Sequence, residues 1–286
     1  MDNMRDVERL AAQASTMQPC PVFGFEEFWP EVYERHKRQF DAIGDLIHLG
    51  NEAIEIAEAT SDEPVKNVIC FLTRATISGA CEVIVLCGNG YGAGAMKIVR
   101  GMYESRWMSE YLRLNPKEVE DYLEFSKVLL WRRLKWTEEY RANSISPGAM
   151  KKAEADYQQV VRQFTDGKGK VRQQWSKKSI GKMAREIGRE KEYELPYSIA
   201  CSIHHQNFEG LLALFVSDED GEVTPNLPPS RTWVNGALTA AWANLWFALN
   251  TLNSSCGLHL EKSLEAAQGP YLAQETSSTR KCESEP

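Results

Sequence analysis

Arg100, Glu104, Trp107 and Tyr111 fall within about 40° of one another on a helix of 3.6 residues per turn, with Met96 and Tyr103 beside them. The stripe therefore turns a guanidinium and a carboxylate toward aromatic rings. Arginine four positions before glutamate is the weaker orientation for supporting a solvent-facing helix, so surface stabilisation explains the pair poorly. Burying either charge costs several kcal/mol unless its partners are excellent, which makes the pair a tether between helices or part of a site.

A second cluster runs from Tyr193 to Asn207 and contains Tyr197, Ser198, Cys201, Ser202, His204 and His205. On a helix, Tyr197, Cys201 and His204 share one stripe, and Ser198, Ser202 and His205 share the adjacent one. The two histidines point apart. They do not chelate one metal from this helix, and no HExxH supplies a catalytic zinc, so no metal and no cofactor are expected. A histidine near hydroxyls serves either as a general base or as a hydrogen-bonded core residue. Ser198 and Ser202 lack a GxSxG elbow, and serines on helices usually bond their own backbone.

Two other motifs have ordinary readings beside their functional ones. Gly88-x-Gly90-x-x-Ala93, after the apolar run Val83 to Cys87, imitates a dinucleotide fingerprint. The run continues a helical period that starts near Val65, and no alternating strands follow, so an interhelical turn is expected. The stretch Lys168 to Lys178 combines five positive charges with Trp175, a pattern suited to phosphate contact and base stacking, or to a solvated loop.

The elements that must position these groups are helical. Periods near 3.6 dominate, and alternating runs of β-branched residues are scarce, which predicts an all-α multi-helix bundle with no substantial sheet. Helices are expected at about 2–15, 30–59, from the Ser61-Asp62-Glu63-Pro64 capping signature to Cys87, and from the glycine turn to Leu114. Further ones are expected at 118–142, from Ser146-Pro147 to Phe164, at 179–190, 196–216 and 231–253. Residues 1–24 read as an N-terminal helix with a proline-containing linker, 25–272 as one helical domain, and 273–286 as a disordered tail.

Composition sets the outer bounds. The 286 residues are 43% hydrophobic, 26% charged and 10% aromatic, with a formal charge of −7, as for a soluble globular chain. That charge opposes a surface wholly devoted to nucleic acid or anionic lipid. The charged N-terminus lacks the apolar core of a secretory signal, so a cytoplasmic location is expected. Seven cysteines form no CxxC pair, and Cys70, Cys81, Cys87 and Cys201 sit in apolar or helical surroundings suited to free thiols. Thr232 to Leu260 holds no Asp, Glu, Lys or Arg, yet Asn235, Thr239, Asn250 and Asn253 gather on one side with Trp242 and Trp246. That pattern favours a buried bundle helix over a membrane span.

The Arg100-x-x-x-Glu104 helix after a glycine turn, with Tyr197 and a segment ending at His205, resembles an uncharacterised, mostly bacterial, all-α family known only as domain of unknown function five-six-seven-seven. The resemblance covers about Asp41 to Phe215. In that family the late motif tends to read Tyr, Ser, His at four-residue steps, where this chain has Tyr197, Cys201 and His205. The resemblance thus implies a hydroxyl where Cys201 stands, unless Ser202 substitutes. It implies no established activity. Helical proteins of a related look include defence ribonucleases marked by Arg, four to six residues, then His, a spacing absent around all five histidines here.

The leading expectation is a module binding a small ligand, nucleotide or protein partner, with Arg100, Glu104, Tyr197 and His205 converging between helices. Arg100 would hold an anionic group, Glu104 would hold Arg100, and His205 would exchange a proton. A metal-independent RNA-cleaving toxin or defence enzyme is the alternative, with His205, Arg100 and Glu104 as catalytic candidates and RNA as the partner. A structural adaptor is the third, a homodimer joined through aromatic helices carrying Trp242 and Trp246. The residues alone leave enzyme against binding module undecided.

Overall fold

The computed structural model describes residues 28–268, apart from 61, 213, 218–222 and 226–228. The helix expected at 2–15, the linker and the tail lie outside the described residues. Within them the chain is a bundle of helices: α1 (Phe28–Thr60), α2 (Pro64–Gly88), α3 (Gly92–Leu114), α4 (Val119–Tyr140) and α5 (Pro147–Val160), followed by α6 (Ile180–Glu186), α7 (Glu190–Glu192), α8 (Ser198–His205), α9 (Phe208–Leu212) and α10 (Val234–Cys256). Residues 261–268 form a last helical stretch. The all-α expectation holds. The one departure is a two-stranded antiparallel ladder, β1 (Phe215–Ser217) with β2 (Val223–Pro225), in which Val216 sits opposite Thr224.

Four long helices make the core. α1, α2, α3 and α10 pack on one another through Ile43, Leu46, Ile54, Ile69, Val83, Val99, Leu238, Leu245 and Leu249, all nearly or wholly buried. A second cluster under α4 joins Tyr111, Phe125, Val128, Phe164 and Trp175. Burying side chains of this size is worth roughly 1.5–3 kcal/mol each, which is the main force gathering the helices. α2 is long and apolar enough to cross a membrane, and 56% of its most apolar window is buried inside the bundle.

α10 is the charge-free stretch. Its polar side is bonded within the protein: Gln39 Nε2 donates to Asn235 Oδ1 and Thr239 Oγ1, and Asn253 Nδ2 donates to Glu261 Oε1. Trp242 is buried, and Trp246 stacks on it while donating to the Leu264 carbonyl. Trp242 is thus covered by the chain's own packing, and Trp246 is partly covered.

Other boundaries moved for local reasons. Glu63, with extended backbone, is the cap of α2 and makes no side-chain cap bond, so Pro64 at the first turn starts that helix. The single helix expected at 196–216 is broken into pieces. Pro196 lacks an N–H and sits in a π-helical turn, Tyr193–Tyr197, and α8 stops where Gln206 takes a left-handed φ of 51°. Gly210 then lies so close to the Ser202 carbonyl that a Cβ there would overlap it, which lets α9 fold back on α8. Cys81 is exposed, unlike Cys70 and Cys87, since it lies on the outward side of α2.

The glycine turn is interhelical. Gly90 has a φ of +71°, its carbonyl accepts from Ser230 N at 3.0 Å, and a Cβ on Gly92 would collide with the Thr232 carbonyl. The glycines thus permit close approach of another backbone segment rather than of a pyrophosphate.

Candidate functional site

α3 and α8 pack side by side, and their seam collects the expected groups. Arg100 Nη2 lies 2.7 Å from Glu104 Oε1, with the two side chains 24% and 33% exposed. The Tyr197 hydroxyl donates to the same Glu104 oxygen at 2.6 Å. Glu104 is thus the hub, bonded to its own helix on one side and to α8 on the other. Trp107 and Tyr103 wall the seam, with ring centroids 5.0 Å and 6.1 Å from that of Tyr197. Burial and the Glu104 hydrogen bond push the Tyr197 phenol far above the usual tyrosine range, because both disfavour phenolate.

The Cys201 thiol completes this inner group, placed against both the Arg100 guanidinium and the Tyr197 hydroxyl. Ser202 does not take its place. Its hydroxyl donates to Glu209 Oε2 at 2.8 Å and accepts from Asn207 Nδ2, away from Arg100. Ser198 bonds the Glu194 and Leu195 carbonyls of its own helix. Ser198 thus bonds backbone only, and the base beside Ser202 is the Glu209 carboxylate rather than an imidazole.

The two imidazoles divide between two surfaces. His205 lines a cleft of about 360 Å³ with Tyr193, Glu194, Tyr197, Ser198, Cys201, Ser202 and Asn207. Arg100 and Glu104 do not line that cleft; Tyr197 connects the two, with its ring on the cleft and its hydroxyl on Glu104. His204 faces α3 instead. Its pKa is lowered by desolvation first and then by the positive charges of Arg100, His205 and Lys97. His204 lies within electrostatic reach of the Arg100 guanidinium, and the rings of His204 and His205 meet edge to face at 5.0 Å. Among the described residues, no group of three or more His, Cys, Asp or Glu side chains is placed to hold a metal ion.

Sequence reasoning passed over three cations. Lys97, one turn before Arg100, lines a cavity of about 220 Å³ at the glycine turn with Gln206, Ser230 and Thr232. Arg106 is 1% exposed and pairs with Glu192. It lies over the Phe247 ring at 4.8 Å, and its Nε and Nη1 find no acceptor among the described residues. Arg189 joins the same group, bonded to Glu110 and Glu192 and lying 4.2 Å from Phe247. Tyr103 and Trp107 flank Arg106 at three positions before and one after, and that aromatic spacing was the available signal. Trp175 of the basic stretch is buried against Tyr111 and Tyr122, so it offers no stacking face.

The profile of a family of unknown function (DUF5677) matches residues 66–223, a span that holds both halves of the seam. The chain belongs to that family. No curated protein and no solved structure matches it. The DUF5677 match begins at the start of α2 and ends at β2, so α1 and α10, which complete the core, lie beyond it.

Proposed function

We propose that this DUF5677 chain is a ligand-binding module whose site is the α3–α8 seam, and that its ligand carries an anionic group. The observation that carries this reading is the shared Glu104 oxygen, which holds Arg100 and Tyr197 at once, with Lys97 one turn before Arg100 and His204 within electrostatic reach of both cations. The Arg100 guanidinium is partly exposed and held by the carboxylate through Nη2; its Nε is buried, so the Nη edge is what it would offer an oxyanion. His205 lines the adjoining cleft across Tyr197, so it would exchange a proton only with a ligand long enough to reach past the Tyr197 ring from Arg100.

Calorimetric titration with inorganic phosphate, adenosine monophosphate and neutral adenosine tests this. Binding of the phosphate-bearing probes, lost in Arg100→Ala while the melting temperature is kept, supports the site. A large loss of melting temperature with no binding by either protein supports a purely structural tether.

RNA cleavage is the second reading, favoured by two adjacent imidazoles, one of them within electrostatic reach of a guanidinium, the parts of a metal-independent acid–base pair. Toxicity on expression that His205→Ala relieves would establish it. Normal growth with intact RNA would remove it.

A further inference from the structure

α2 and α10 run antiparallel through the core. The Cys87 thiol near the end of α2 lies 3.9 Å from the Val234 carbonyl at the start of α10, and further along the pair Ile77 and Leu249 converge on Gly50 of α1. About two turns beyond that meeting point stand Cys70 on α2 and Cys256 on α10. They share the sides of Ile77 and Leu249, because roughly seven residues bring a helix back close to its starting face. The register therefore turns the two thiols toward each other, and the Cys70 thiol is within hydrogen-bonding reach of the Cys256 thiol. Lys66, one turn before Cys70, is within electrostatic reach of Cys256 as well, as the same register requires.

The two thiols differ in access. Cys70 is 2% exposed, whereas Cys256, the last residue of α10, is half-buried beside the left-handed Gly257. Burial raises both thiols, so the reduced pair stays protonated and reacts slowly. Among the described residues, no third His, Cys, Asp or Glu joins them to hold a metal ion.

We infer that Cys70 and Cys256 form a reversible redox lock between α2 and α10, closed by a low-molecular-weight disulfide such as oxidised glutathione. The Cys256 thiolate attacks one sulfur of that disulfide, forming a mixed disulfide and expelling a glutathione thiolate. The Cys70 thiolate then attacks the Cys256 sulfur, forming the bond between the helices and expelling the second glutathione thiolate. The protein gives up two electrons and two protons, and the glutathione takes them up as two thiols. The lock ties α2, inside the DUF5677 match, to α10, beyond it, and does not depend on the α3–α8 seam.

After hours with excess oxidised glutathione, peptide mapping of the alkylated full chain is expected to find Cys70 and Cys256 in one linked peptide, two hydrogens lighter than its parts. The melting temperature is expected to rise by about 5 °C or more, and dithiothreitol to reverse both changes. Cys256→Ala should leave Cys70 open to alkylation and abolish the rise; Cys70→Ala should leave Cys256 as a stable glutathione adduct. The mapping is made on the parent chain, so it decides even if a variant fails to fold. Cys70 and Cys256 left unlinked, Cys256 joined to another cysteine, or a linked peptide without any rise in melting temperature overturns the inference.

Discussion

The Tyr197 hydroxyl donates to Glu104 Oε1 at 2.6 Å across 93 positions of sequence, making a single carboxylate oxygen the junction between α3 and α8. Removing the hydroxyl leaves a half-buried carboxylate with Arg100 as its remaining partner. Tyr197→Phe should destabilise the fold by about 1.5–3 kcal/mol, the range for a hydrogen bond to a charged group, as read by urea denaturation. Because the folded phenol is raised, its contribution is complete below the ordinary tyrosine pKa and is lost as pH climbs above it. The parent should therefore lose stability in that alkaline window more steeply than Tyr197→Phe does.

His204 titrates in the opposite sense. Its folded pKa is lowered, so the unfolded chain takes up a proton first as pH falls through the ordinary imidazole range, and stability declines there. Proton magnetic resonance should place the His204 midpoint below that of a free histidine. Arg100→Gln, which removes one of its positive neighbours, should move the midpoint upward. An unmoved midpoint would separate His204 from Arg100.

Arg106 and Glu192 are unequal partners. Glu192→Ala strands a guanidinium that is 1% exposed and should cost about 3 kcal/mol or more in chemical denaturation. Arg106→Leu leaves Glu192 still paired with Arg189 at 3.3 Å and fills the same space with carbon, so it should cost distinctly less. Equal losses would contradict the burial of the charge.

Thiol chemistry should follow exposure. Burial pushes Cys70 up to about 11 and Cys87 up to about 12, whereas Cys81 is exposed on α2. Peptide mapping after brief treatment with a disulfide reagent at neutral pH should find Cys81 modified ahead of Cys70 and Cys87. The latter two should react once the chain is unfolded.

The bundle was legible in the sequence because apolar period and breaker residues are local properties. Pro64, Asn115-Pro116 and Ser146-Pro147 each mark a helix start that the structure keeps. The break at Gln206 was not legible, since glutamine carries no preference for a left-handed backbone; α8 ends there because Gly210 must pass against the Ser202 carbonyl. Arg100 and Glu104 were found by spacing on one helix. Tyr197 was singled out from its own segment, but its bond to Glu104 was not readable from either.

The order of apolar and polar residues by itself determined that this chain is helical, and which sides of α3 and α8 carry chemistry, since a helix's faces follow from its period alone. Which imidazole lines the cleft beside Tyr197, which arginine is sealed inside and which tryptophans are covered were decided only by tertiary packing. Those outcomes depend on the rotation and depth of one helix against another, and a shift of one residue, about 100°, exchanges His204 for His205.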